Sequence, residues 1–358
     1  MSLKTSLFEE HVSLGAKIVE FADWQMPIQY KNLKEEVIAV RDSVGVFDVS
    51  HMGEFFIEGK QALDFVDHLV TNDIKNAEIS KAIYSPLCRE DGTIIDDLIV
   101  YKISNEKLMI CVNASNIKKD FDWMNSHLSS FDCTLINRSD DFSLLAIQGP
   151  KTFETLSQLD LNFQIEDNDY YSIQIGSDDK TPILLARTGY TGEDGFEVFG
   201  PHEFIKALWK QLMDAGVKPC GLGARDVLRL EVGYPLYGNE LDETVTPLDT
   251  GLKWTVKMSK PSFIGKQALQ DYQAKTQSIK LILDKGIPRE GYVIENSQAQ
   301  EIGTITSGTM SVCLKKGIAF ARVDKNLYGP EEEIIVNIRG KKYSATRTKK
   351  PFVAGGHK

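Results

Sequence analysis

The chain has 358 residues, 42% of them hydrophobic and 26% charged, which is enough for two or three domains with sizeable cores. Its 51 acidic and 41 basic residues give a net charge of −10, which excludes nucleic acid or an anionic membrane surface as the main partner, because both select a basic face. No run reaches the roughly 18 apolar residues of a membrane span, and no apolar signal core or Arg-rich transit segment opens the chain, so a cytoplasmic protein is expected.

In chain order, residues 33–44 form the first helical pattern, with apolar positions at Val37, Ile38 and Val40. Residues 60–70 place Leu63, Val66, Leu69 and Val70 on one stripe, and 115–127 begin at Ser115, a good N-cap residue. Strands are expected at 93–103, after the turn Glu90-Asp91-Gly92, and at 108–112. A polar turn joins these two runs, so they should pair as a hairpin. Strands at 183–187 and 196–199 flank a glycine-rich turn. A helix over 202–215 spaces Phe204, Leu208 and Leu212 four apart before Gly216 stops it.

After about Gln277 strands dominate, at 279–283, 301–306, 317–323, 333–338 and 343–348. That pattern predicts a small β-barrel or sandwich. The boundary should fall in the polar stretch 271–278, giving a domain region 1–276 of two interleaved α+β subdomains and a C-terminal region 277–358. The irregular order of helices and strands in the first part favours α+β over a doubly wound sheet.

Cys88, Cys111, Cys133, Cys220 and Cys313 are odd in number and never form CxxC, which argues for reduced, buried thiols rather than a disulfide framework or a zinc site. The six histidines are equally scattered, and no metal is expected.

Three segments stand out chemically. In TIIDDLIVY, residues 93–101, strand alternation puts Asp96 on a face with Ile94, Leu98 and Val100, and Asp97 on the other with Ile95, Ile99 and Tyr101. Buried carboxylates need partners or a cavity. Because the two face opposite ways, they should not share a proton; one should face a site and the other a structural partner. In TGYTGEDGFE, residues 188–197, the glycines match no nucleotide-binding fingerprint. A wide turn is the simplest account, but Glu197 lies within a strand and could accept two parallel N–H bonds from a flat heterocycle. In GLGARDVLRLE, residues 221–231, a helix start carries Arg225, which in such a setting usually forms a surface salt bridge. Met52, at the end of FDVSHM, either packs in the core or lines an apolar slot. The lysine pairs at 315–316, 341–342 and 349–350 read as solvated surface.

Together these segments resemble the aminomethyltransferase (T-protein) family of the glycine cleavage system. The blocks that carry the resemblance are GAKIVEFADWQMPIQY (15–30), RDSVGVFDVSHMG (41–53), YSPLCREDGTIIDDLIVY (84–101), TGYTGEDGFEVF (188–199), KPCGLGARDVLRLEVGYPLYGNELDE (218–243), SFIGKQAL (262–269) and GTITSGTMS (303–311). They appear in family order and span essentially the whole chain. The resemblance implies a three-domain cloverleaf, two α+β domains and a C-terminal β domain, with tetrahydrofolate in the central cavity as co-substrate. It implies transfer of an aminomethyl group from the lipoyl arm of the H-protein, giving 5,10-methylenetetrahydrofolate and ammonia. Neither the sequence nor the resemblance fixes the oligomeric state; a monomer that docks the H-protein transiently is the expectation.

By the same resemblance Asp96 is the catalytic carboxylate. Glu197 and Arg225 contact folate, Tyr190 lies near the pterin, and Tyr84, Met52 and Asn113 line the cavity, with Tyr234 a further match. Asp23 stands where many members have glycine, Val312 replaces a usual proline, and the tail 352–357 lacks a tyrosine found in some members. Two alternatives share the fold: a related folate-dependent demethylase, and a non-enzymatic folate-binding protein. The latter is disfavoured because SFIGKQ lacks the cysteine of that group's KGCYxGQE-like block.

Overall fold

The computed structural model describes residues 2–161, 164–176, 182–329 and 333–356. Three of the four sheets among the described residues carry the architecture, and the chain crosses between the first two. A six-stranded sheet runs Ile173–Ile175, Leu184–Ala186, Gly195–Gly200, Ser143–Gln148, Gly45–Asp48, Lys218–Pro219. A five-stranded sheet runs Lys81–Cys88, Ile94–Lys102, Lys107–Val112, Gly53–Glu58, Thr134–Asn137. Gly45–Asp48 belongs to one sheet and Gly53–Glu58 to the other, so the turn containing Ser50, His51 and Met52 bridges them. A shared core that includes Phe47, Phe56, Tyr101, Met109, Phe142, Leu144 and Phe199 fills the space between the sheets.

The strand Ile94–Lys102 pairs with Lys81–Cys88 on one side and Lys107–Val112 on the other, the latter as the expected antiparallel hairpin. Leu184–Ala186 and Gly195–Gly200 also pair antiparallel across the glycine-rich turn. The third sheet is a closed barrel of six strands, Thr276–Leu283, Gly317–Asp324, Glu301–Met310, Val293–Glu295, Ile334–Ile338 and Lys341–Thr348. Its interior packs Ile279, Leu281, Leu283, Ile305 and Val336. Closure removes every free strand edge. The short strand Val293–Glu295 escaped the sequence pattern, because three residues give too little alternation to register.

Four helices fall where the pattern placed them, as Leu33–Asp42, Ala62–Leu69, Ile117–Ser126 and His202–Asp214. Asn32 caps the first, its side chain accepting from the amides of Lys34 and Glu35. Ser115 is not the cap of the third. It lies in a 3-10 turn, Ala114–Asn116, and Asn116 precedes the helix without a side-chain capping bond, because its side chain is turned inward onto Asp96.

The helix Leu222–Val232 is the hinge of the architecture. It begins at Gly221, ends at Gly233 in the left-handed conformation, and buries seven of its residues. It packs against Leu33–Asp42, the strand Trp24–Gln29 and the barrel strand Glu301–Met310. Side chains then lock it to the barrel: Arg229 donates to Ser307 at 2.7 Å, and Ser311 donates to Glu231 at 2.7 Å. Glu231 also pairs with Arg41 at 2.9 Å. Asp23 sits in the turn between Lys17–Phe21 and Trp24–Gln29 at φ 66°, a left-handed position that favours glycine. No described helix is long and apolar enough to cross a membrane.

All five cysteines are free thiols, but not all are buried. Cys313 is exposed, because it lies in the turn leaving Glu301–Met310, where its thiol reaches Glu231 at 3.4 Å. Cys133 is half-buried.

Candidate active site

A cavity of about 850 Å³ opens where the six- and five-stranded sheets, the helix Leu222–Val232 and the barrel meet. Seven of the eight residues singled out in the sequence line it: Met52, Tyr84, Asn113, Tyr190, Glu197, Arg225 and Tyr234. Asp96 does not. The carboxylate of that strand that lines it is Asp97.

This reversal follows from alternation on the strand Ile94–Lys102. Asp97 shares its face with Ile99 and Tyr101, both on the cavity wall. Asp96 shares its face with Leu98 and Val100, which pack into the core behind the five-stranded sheet, Leu98 also touching the cavity. The carboxylate of Asp96 is fully buried there. Its oxygens accept from the Asn113 amide N–H at 3.1 Å, Asn113 Nδ2 at 2.8 Å and Asn116 Nδ2 at 2.7 Å. The expectation that Asp96 is the carboxylate facing the site is therefore corrected: it is the structurally bonded member of the pair, and Asp97 is the one presented to the cavity.

Asp97 is anchored at both oxygens. Tyr84 Oη donates to Oδ2 at 2.9 Å and Asn113 Nδ2 to Oδ1 at 3.0 Å. Burial, reinforced by the neighbouring charge of Asp96, pushes its pKa from 3.8 up to about 7. A carboxyl so tuned holds and releases a proton near neutral pH. The Tyr84 ring stacks on Trp254 with centroids 6.1 Å apart, and Trp254 is 59% exposed at the cavity mouth.

The six-stranded sheet and the central helix supply a second cluster. Glu197 lies on Gly195–Gly200, opposite Ala146 and Ala186, and is only 8% exposed. Thr188 Oγ1 donates to its Oε2 at 2.6 Å. Arg225, in the first turn of Leu222–Val232, reaches into the same space instead of lying on the surface. Its guanidinium sits 4.8 Å from the centre of the Tyr190 ring, and its Nη1 has no hydrogen-bond partner. Burial lowers its pKa, opposed by Glu197; a guanidinium nevertheless stays charged. Glu197 and Arg225 form no direct ion pair in the structure, so each keeps hydrogen-bonding capacity facing the cavity.

Tyr190 donates its hydroxyl to the Pro235 carbonyl and stacks on Tyr234, centroids 5.9 Å apart. Two aromatic planes and a cation thus form one wall. Glycines hold this wall close: a Cβ at Gly189 would lie 1.9 Å from the Gln148 side chain, and one at Gly192 2.1 Å from Val232.

Several cavity residues were not singled out beforehand. His51 is 4% exposed, its Nδ1 is unpartnered, and burial beside Arg225 lowers its pKa to about 4, so it is neutral. The only prior signal was its place next to Met52. Arg229 also lines the cavity, but it is consumed by Glu240 at 2.8 Å and Asp226 at 2.9 Å. Lys280, Arg347 and Lys349 bring positive charge from the barrel side. Lys349 was read as solvated surface, since a lysine pair near the end of a chain carries no sign of what folds over it. The tail turns back onto the helix: Phe352 packs with Leu230 and Phe320, and Val353 N–H donates to the Glu231 carbonyl at 2.8 Å. His357 lies outside the described residues. Among those described, no group of three His, Cys, Asp or Glu side chains is placed to hold a metal ion.

The chain matches the family model described as GCVT N-terminal domain over residues 7–260, and that described as glycine cleavage T-protein C-terminal barrel domain over 277–354. It is 48% identical over 359 residues to a protein named aminomethyltransferase from Thermosipho melanesiensis, covering 99% of this chain and 98% of that one. Against the protein of the same name from Thermotoga maritima it is 46% identical over 360 residues, covering 98% of each. The crystal structure of glycine cleavage system aminomethyltransferase T from Bartonella henselae superposes with a TM-score of 0.93 at 31% identity, covering 100% of this chain and 99% of that one.

Proposed function

This chain belongs to the glycine cleavage T-protein family, and from that premise we propose that it is the aminomethyltransferase of a glycine cleavage system, with Asp97 as its reacting carboxylate. It takes the aminomethyl carbon from the dihydrolipoyl arm of an H-protein and passes it to tetrahydrofolate. The bonds from that carbon to sulfur and to nitrogen break, and bonds to N5 and N10 form. The two N–H protons displaced leave with the thiol and with ammonia.

The observation that carries this reading is the division of labour across one cavity: an unpaired carboxylate–guanidinium set on one wall and a near-neutral carboxyl on another. Glu197, held by Thr188, has a free edge for the parallel N–H donors of a pterin. Arg225 Nη1 and His51 Nδ1, both buried without partners, suit the polar atoms of the same ring, since such groups are costly to leave unpaired. This assigns Arg225 to the pterin end. Lys280, Arg347 and Lys349 on the barrel side suit the carboxylates of the glutamyl tail.

Asp97 then faces the reacting edge. With a pKa near 7, it accepts an N–H proton from the folate and returns one to departing ammonia. Tyr84 and Asn113 fix its orientation, and the enclosing walls supply positioning. The lipoyl arm enters past the exposed Trp254. A monomeric, cytoplasmic enzyme that docks the H-protein transiently fits this reading.

The test is turnover with aminomethylated lipoyl H-protein and tetrahydrofolate, scored for 5,10-methylenetetrahydrofolate. We expect product from this donor and none from methylamine or sulfonium donors. The opposite preference assigns the chain to the demethylase branch.

A further inference from the structure

Asp120 presents a problem that the active site does not resolve. It lies on the helix Ile117–Ser126, fully buried, and neither carboxyl oxygen has a hydrogen-bond donor. An ionised carboxylate in such a place is strongly disfavoured. Its neighbour is Asp96, close enough to act on its charge, and two adjacent buried carboxylates cannot both ionise cheaply. The donor sets decide which one holds the proton. Asp96 accepts three N–H bonds, from the amide and side chain of Asn113 and from Asn116, and Asp120 accepts none. The anion therefore sits on Asp96, and the proton on Asp120 is directed at it.

We propose that Asp96 and Asp120 form a singly protonated carboxyl pair that acts as the positioning element for Asp97. The link is the Asn113 side chain, whose Nδ2 donates to Asp96 Oδ1 at 2.8 Å and to Asp97 Oδ1 at 3.0 Å. The Asp96 anion orients that amide so that its N–H edge meets Asp97. It also fixes one negative charge behind the reacting carboxyl, which makes Asp97 more basic. The functional half of this inference rests on the assignment of Asp97 above; the existence of the pair does not.

The surroundings leave that charge uncompensated. Tyr84 donates to Asp97 at 2.9 Å, and the other titratable groups within electrostatic reach of the pair, Tyr190, Cys111 and Tyr237, are not cations. Lys119 is the cation next to Asp120, but it is tied to Tyr237 at 2.8 Å and Glu243 at 2.9 Å. The burial of Asp120 and the Asp96 charge both raise its pKa well above the usual carboxylate range, in line with a resident proton.

Two measurements on the full-length protein test this. Infrared difference spectroscopy at pH 8 compares wild type with Asp120→Asn, whose amide N–H keeps a donor toward Asp96. A protonated carboxyl C=O band in wild type that vanishes in the variant is expected; absence of that band overturns the pair. The second measurement is the pH profile of kcat for Asp96→Asn. Removing the fixed charge should move the acid limb down by about one pH unit, a change that mere loss of stability does not produce. An unmoved limb with the band present overturns the positioning role. The assignment of Asp97 is judged separately, by the turnover of Asp97→Asn. If Asp96→Asn does not fold, the infrared comparison alone decides whether the pair exists.

Discussion

Replacing Asp97 with asparagine should raise stability and abolish most of the activity, with a pH dependence that identifies the cause. The side chain keeps its contacts: Asn113 still donates to a carbonyl oxygen, and the Tyr84 hydroxyl turns from donor to acceptor. What disappears is a carboxyl whose pKa rises from 3.8 unfolded to about 7 folded. An acid with a raised folded pKa stabilises the fold fully below the unfolded value, and that contribution is lost as pH rises to the folded value. Wild type therefore loses about 1.4 kcal/mol per pH unit between roughly pH 4 and 7 that the variant does not lose. The accumulated difference is at most about 4 kcal/mol above pH 7, reduced by the partial exposure of the carboxyl at the cavity wall. Chemical denaturation at pH 5 and pH 8 measures it. Turnover should fall by about 10²- to 10⁴-fold, the usual weight of a general acid–base group. Equal destabilisation at both pH values, or near-normal turnover, refutes the reasoning.

Three further outcomes follow from the same geometry. Glu197→Gln keeps the Thr188 hydrogen bond but loses the charge that grips the pterin; tetrahydrofolate affinity by calorimetry should fall by roughly 10- to 100-fold, one charge-assisted bond, and unchanged affinity removes Glu197 from the site. Gly221→Ala puts a Cβ 2.4 Å from the Ile28 backbone, forcing the helix Leu222–Val232 outward; melting should show a loss of about 1–3 kcal/mol together with a raised KM for folate as Arg225 moves, and a variant with wild-type melting and KM contradicts the close packing. Arg229→Met strips the cationic partner from Glu240, which is buried at 2% exposure; denaturation should register a loss of about 3–5 kcal/mol, and a neutral effect contradicts a structural role for the pair.

Much of this was legible in the sequence, and the parts that were not have physical reasons. Alternation on residues 93–101 correctly separated Asp96 from Asp97 and required one to face a site and the other a structural partner. It could not say which, because both faces are apolar. The discriminating groups, Asn116 and Asp120, lie one strand and one turn further on, and only the fold brings them behind Asp96. Resemblance named Asp96, whereas the cavity is lined by Asp97; the motif contains two adjacent aspartates and no register mark. Glu197 was visible as a charged residue inside a strand. Arg225 looked like a surface salt bridge because its helix carries Asp226, Arg229 and Glu231, but those residues satisfy Arg229, Arg41 and the barrel, and leave Arg225 to the cavity. The barrel was legible from turn spacing. The crossing of the chain between Gly45–Asp48 and Gly53–Glu58 was not, and it is this crossing that carries His51 and Met52 to the cavity wall.

The central claim is that folate sits across this cavity with its reacting edge on Asp97. A structure of the full chain with tetrahydrofolate bound tests it most directly. The account predicts the pterin donor edge on Glu197 and the N5–N10 edge within hydrogen-bond distance of Asp97, with Asp96 still enclosed by Asn113 and Asn116. A folate bound outside the cavity, or one whose N5–N10 edge contacts Asp96 or Glu197 instead, contradicts it.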